Sequence, residues 1–274
     1  MDYIDTIPFL AYAASFRSGE ERIDGFLALK EEHTLRVLEQ ARGIAAAEPA
    51  FAAPLPRRAL LLAALYHDLG RFAQFRRYRT FADARSCDHG RLGKTILRRK
   101  GFLRAEPAEV RRLVRTAVAL HNRHALPDGL AGVGRLVTQG VRDADKLDIL
   151  RLMAEQLAPG VVADSVVLMG LENAPERWSP LVLSALEEGR TASFRDMRFY
   201  NDFRLLLCSW LYDLAFAASF RKLRDAGYLE EIIGGLAPVP VAQARARRAV
   251  AGCFRDGSQD LREKTPCPPM LPDR

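Results

Sequence analysis

The chain has 274 residues, 49% of them apolar and 27% charged, with a formal charge of +7. That is enough to bury a large core, as one domain or as a domain with an extension, in an ordinary soluble globular composition. No run approaches the roughly 20 apolar residues of a membrane span, and the apolar run 7–14 follows Asp2 and Asp5 where a secretory signal would have basic residues.

The four cysteines, Cys87, Cys208, Cys253 and Cys267, show neither close pairing nor metal-ligand spacing, which reads as reduced thiols in the cytoplasm. Lysines are few (Lys30, Lys94, Lys100, Lys146, Lys222, Lys264), so the positive charge is mostly arginine. There is no glycine-rich phosphate loop, zinc-finger spacing or RNA-binding signature, so nucleic acid is not the expected partner. An anionic small molecule is compatible with the charge, which does not select one.

Helical spacing recurs nearly everywhere and strand-like alternation is absent, so the reading is all-α. Residues 7–16 suggest a first short helix. From Glu21 to about Ala47 the pattern is amphipathic, with Leu29, His33, Val37 and Ala41 on one stripe, so His33 faces inward. A hydrogen-bonded core histidine is the ordinary reading of such a residue and a metal ligand the alternative. Residues 60–69 are a run of apolar helix formers that ends in His67 and Asp68, with Gly70 suited to a left-handed helix closure. An imidazole and a carboxylate buried together need a partner, and a divalent metal would serve both.

Residues 71–81 mix arginines with Phe72, Phe75, Tyr78 and Phe81 and read as a loop, its aromatics either pinned to the core or free to stack on a base. Ser86 can cap the next helix, with His89 in its first turn. Pro107 starts a helix to about Arg123, whose inner stripe of Val110, Val114 and Ala117 ends at His121; His124 lies beyond it, a loop histidine. A helix over about 133–157 carries Val137, Val141, Asp145, Ile149 and Met153 inward, with Asp143 and Asp148 flanking Asp145. An inward aspartate in such a stripe needs a cation. Farther on, helices are expected over 181–188, 194–227 and 244–255, followed by a proline-rich, disordered tail over 265–274.

All five histidines lie between positions 33 and 124. His33, His67, Asp68 and Asp145 together give two imidazoles and two carboxylates, a mixed shell suited to Mn, Fe, Zn, Ni or Co. A histidine, a later His-Asp pair and a later aspartate within Asp143-Ala144-Asp145-Lys146-Leu147 resemble the HD-domain superfamily of metal-dependent phosphohydrolases, over about residues 25–155. The resemblance implies an all-helical fold; with the pattern read along the chain, the expected division is an HD-type helical domain over 1–158, a helical C-terminal extension over 159–262 and a tail over 263–274. It implies phosphoester hydrolysis, often of nucleotides, by attack of metal-bound hydroxide, in a site of one ion or of two. In branches with two ions, His89 and His121 stand where the further ligands would be, and Asp68 would bridge. Many members have lysine where this chain has Arg71, so Arg71 is expected to bind phosphate, with Lys94, Arg123 and Lys146 as further contacts and Asp68 as a proton acceptor. A non-catalytic metal- or nucleotide-binding module on the same fold is the alternative, and the C-terminal helices are expected to shape the pocket or a dimer face.

Overall fold

The computed structural model describes residues 3–157 and 170–260, with side chains through 254. Among these residues it is all-helical, the single β pairing being an isolated bridge between Glu172 and Phe199. In chain order the helices are α1 (Ile7–Ala14), α2 (Glu21–Ala47), α3 (Pro54–Tyr66), α4 (Leu69–Tyr78), α5 (His89–Lys100), α6 (Ala108–Leu120) and α7 (Gly132–Gln156). They continue as α8 (Pro180–Glu187), α9 (Tyr200–Ser209), α10 (Ala217–Ala226), α11 (Tyr228–Gly234) and α12 (Pro240–Asp260). The proposed tail, Cys267 and the proposed boundary at 158/159 lie outside the described residues.

The core is organised on α3. Every residue from Ala59 to Tyr66 is buried, and the helix is walled by α2, α6 and α7. A helix apolar all round belongs at the centre of a bundle, and its proline-bearing first turn costs no internal hydrogen bond. α4 packs on α5 and α5 on α6, which completes the layer around the end of α3. Farther along, α9 packs on α8 and α11, and α10 and α11 rest on α7, so one continuous apolar core runs through both halves.

Three expectations need correction. The first concerns Gly70, which does not close α3 in a left-handed conformation: no positive φ occurs there, and the break falls at His67 and Asp68 before α4 begins at Leu69. The residue is glycine because α5 comes close; a Cβ would sit 2.2 Å from the His89 carbonyl oxygen and 2.9 Å from the Gly93 nitrogen.

The second concerns residues 71–81. Most of this stretch is helix rather than loop, because Leu69, Phe72 and Phe75 recur at i, i+3 and are buried. The helix stops at Arg79, the one non-glycine residue with positive φ among those described. The third is the stretch 194–227, which is broken into α9, a short 3-10 turn at Trp210–Asp213 and α10.

A candidate metal centre

Four helix ends meet beside α3. His33 comes from the middle of α2, His67 and Asp68 from the α3–α4 junction, His89 from the first turn of α5, His121 from the end of α6 and Asp145 from α7. The four imidazoles and Asp68 are each at most 5% exposed.

Each imidazole is fixed through Nδ1. His67 donates to the Ala64 carbonyl at 2.8 Å and His121 to the Val118 carbonyl at 2.9 Å. His33 donates to Asp148 Oδ2 at 2.7 Å, and His89 to Asp83 Oδ2 at 2.8 Å. Carbonyls and ionised carboxylates only accept, so Nδ1 carries a proton on every ring, and in the neutral form that binds a metal each Nε2 presents a lone pair.

The Nε2 atoms converge on Asp68. Its Oδ2 lies 3.7 Å from both His33 and His67, while its Oδ1 lies 3.3 Å from His89 and 3.7 Å from His121. Asp145 Oδ1 is 3.1 Å from His33 Nε2 and 3.6 Å from His67 Nε2. Lone pairs also face one another, His33 to His67 at 3.4 Å and His89 to His121 at 3.1 Å.

Two acceptors so close repel unless a cation lies between them. Asp145 Oδ1, moreover, is buried with no hydrogen-bond partner. Donors bound at 2.0–2.2 Å to one ion lie about 3 Å apart, the spacing found here. Two overlapping triads, His33–His67–Asp145 and His67–Asp68–His121, bring one ligand atom apiece within 4.8 Å of each other. The residues present therefore fit a divalent cation.

The charges around the cluster favour ionised carboxylates. Burial opposes it, but Lys30, His67 and Arg71 hold the Asp68 carboxyl well below the usual range. Burial is likewise outweighed by His33 and His67 at Asp145, and by His33 and Arg36 at Asp148. Burial pushes the His121 imidazole down to about 4, so it is neutral, as a ligand must be, at pH 7.

The candidate cationic contacts separate clearly. Arg71 Nε is 3.4 Å from Asp68 Oδ1, but its Nη1 is already committed to Gln74 Oε1 at 2.8 Å, Asp83 Oδ1 at 3.0 Å and the Phe81 carbonyl. It braces the 3-10 turn Asp83–Arg85 more than it offers a free fork. Arg123 pairs with Asp88 Oδ2 at 3.0 Å on the rim. Lys94 is exposed on α5. Lys146 is buried and bonds Asp213 Oδ2 at 2.6 Å, so its ammonium is spent on the C-terminal half instead of on a substrate. His124 is exposed and outside the cluster.

Sequence reasoning missed four groups. Lys30 Nζ reaches Asp68 Oδ2 at 2.9 Å and lies 5.4 Å from the Phe81 ring centre. Its signal was available, because it stands one turn before His33 on the same face of α2. Asp83 accepts from Arg71, Gln74, Asn122 and His89. Nothing in the apolar pattern marks Asp83, Gln74 or Asn122. Of the aromatics over 72–81, Phe72 and Phe75 are buried in the core and Phe81 stacks on Phe75 with ring centres 4.6 Å apart, whereas Tyr78 is exposed.

Three imidazoles from helix ends and one from the middle of α2 converge on one buried carboxylate, an arrangement that could hold a divalent metal. The HD domain family model matches residues 31–153, from just before His33 to beyond Asp145, so this segment is similar to the HD-domain superfamily, whose members are mostly metal-dependent hydrolases. No curated protein and no solved structure gives a significant match.

Proposed function

We propose that the chain is a metal-dependent phosphohydrolase acting on a small phosphoester, a nucleotide or related molecule, with two divalent ions per chain. The observation that carries this reading is the Asp68 carboxylate, one oxygen toward His33 and His67 and the other toward His89 and His121. His33, His67, Asp68 and Asp145 would hold one ion and Asp68, His89 and His121 the other. Bound there, Mn, Fe, Zn, Ni or Co would supply Lewis acidity, acidifying water and offsetting charge on phosphoryl oxygens.

The protein's own contribution is orientation and charge. Asp148 and Asp83 aim the His33 and His89 rings and raise their basicity, as outer carboxylates do at metal sites. Asp145, through the carboxylate oxygen not engaged with an ion, would be available to take a proton from an attacking water. The Lys30 ammonium, beside Asp68 and only partly exposed, can meet a phosphoryl oxygen and give a proton to the leaving oxygen. Arg71 holds the wall behind it.

The three cysteines among the described residues are free thiols, and no described helix is long and apolar enough to cross a membrane. The thiols support a reducing, cytoplasmic setting. The test is turnover of bis-p-nitrophenyl phosphate, p-nitrophenyl phosphate and a nucleotide panel by protein loaded with manganese. Hydrolysis abolished by chelation is expected. Bound metal without turnover of any of them would support the regulatory-module alternative.

A further inference from the structure

Three charged residues of α7 are buried without touching the side chain of any candidate ligand: Arg142, Asp143 and Lys146. Their partners come from residues 213–216, between α9 and α10. Asp143 accepts from the backbone nitrogens of Ala215 and Phe216 at 3.1 Å. Asp213 Oδ2 accepts from both Arg142 and Lys146.

Arg142 is only 6% exposed, and the same guanidinium that meets Asp213 through Nη2 also grips the end of α6. Nη1 donates to the carbonyl of His121 at 3.0 Å and to that of Arg123, and Nη2 faces the carbonyl of His124 at 3.4 Å. A guanidinium at a helix C-terminus satisfies carbonyls that have no helical partner and matches the negative end of the dipole. One of these carbonyls belongs to His121 itself, whose imidazole stands 3.1 Å from His89 Nε2.

We infer that Asp213 is a positioning residue for the metal centre: by orienting Arg142 it fixes the end of α6, and with it the His121 ligand on the His89 side. The C-terminal half would then set occupancy of one ion and not the other. This rests on the two-ion reading above. The hydrogen bonds of Arg142 go to Asp213 and to the end of α6, none to the side chains of His33 or Asp145, so the ion on their side should be indifferent to Asp213.

Removing Asp213 alone strands two buried cations and would weaken the fold. The informative variant is therefore Asp213→Asn with Lys146→Met, which keeps the buried charge balanced while leaving Arg142 without its carboxylate. Glu48→Gln is the control, since Glu48 Oε1 caps the same C-terminal half by accepting from Ala218 N at 2.7 Å, with no tie to α6. Manganese uptake is followed calorimetrically and by the loss of the free-ion spin-resonance signal.

The expected result is two ions in wild type and, in the double variant, an unchanged first ion with the second bound roughly 10-fold to 100-fold more weakly. Glu48→Gln should lower the melting temperature and retain both ions. Two ions at wild-type affinity in the double variant would overturn the inference and leave the metal reading standing. Equal weakening of the second ion by Glu48→Gln would also overturn it, replacing a brace with general docking. Wild type that takes up no manganese would overturn both.

Discussion

Lys30 and Arg71 both approach Asp68, yet they differ in what else they hold. Arg71 is committed to Gln74, Asp83 and the Phe81 carbonyl, whereas the Lys30 ammonium has one hydrogen-bonded carboxylate and an aromatic face. Lys30→Met should therefore leave metal content unchanged and cut kcat by roughly 100-fold to 10,000-fold, the range for loss of a positioned proton donor. The loss should be greatest for substrates with poor leaving groups. Steady-state kinetics across a leaving-group series checks this; a uniform KM effect with kcat intact would reduce Lys30 to a binding contact. The metal-type residues were legible in the sequence because burial makes a polar residue conspicuous: His33, His121 and Asp145 each interrupt an apolar stripe. The groups that orient them were less legible. Gln74, Asp83 and Asn122 lie where polar residues are ordinary, and only the meeting of α4, α5 and α6 gives them a common purpose.

At the scale of elements, close approach of α4 and α5 determines where His89 stands. Gly70 and Gly93 let the two backbones meet, and a Cβ at position 70 would collide with backbone atoms that cannot swing aside. Gly70→Ala should cost about 1–3 kcal/mol or more and displace His89 from Asp68. A denaturation midpoint measured beside metal content checks both parts; wild-type stability would show that the helices separate freely. The sequence indicated helices for most of the chain, but it misjudged this junction. A glycine after a helix has the same letter whether it turns left-handed or admits a neighbouring backbone. The 71–81 stretch was misread for a related reason, because its arginines hid the i, i+3 spacing of Leu69, Phe72 and Phe75.

The junction with α10 carries its own pH signature. Burial pushes the Asp143 carboxyl up to about 6, against the pull of Lys146 and the Ala215 and Phe216 backbone bonds. The unfolded chain ionises this group near pH 4, so between about pH 4 and 6 the folded state holds the extra proton. Stability from this residue is thus full below pH 4 and declines until pH 6. Asp143→Asn keeps an acceptor for the two backbone nitrogens and removes the titration. Its melting temperature relative to wild type, in chelator, should rise from pH 4 to 6 and then level off. A difference that stays flat across this range would contradict the assignment.

Across the whole molecule, the N-terminal helices bring the ligands together while the C-terminal helices cover α7 and α2 and neutralise charges that α7 buries. Asp143 and Lys146 looked in sequence like companions of Asp145, yet helical geometry turns adjacent residues about 100° apart, so they serve a different neighbour. Its partners, more than 60 positions away, could not be read from local pattern.

The central claim is that imidazoles and carboxylates from five parts of the chain enclose divalent cations around Asp68. Elemental analysis of wild type and Asp68→Ala, both purified without chelators, tests it most directly. About two ions per chain in wild type, and loss of both in the variant with folding retained by circular dichroism, is the predicted result. Wild type without divalent metal, or an Asp68→Ala protein with the wild-type metal ratio, would contradict it.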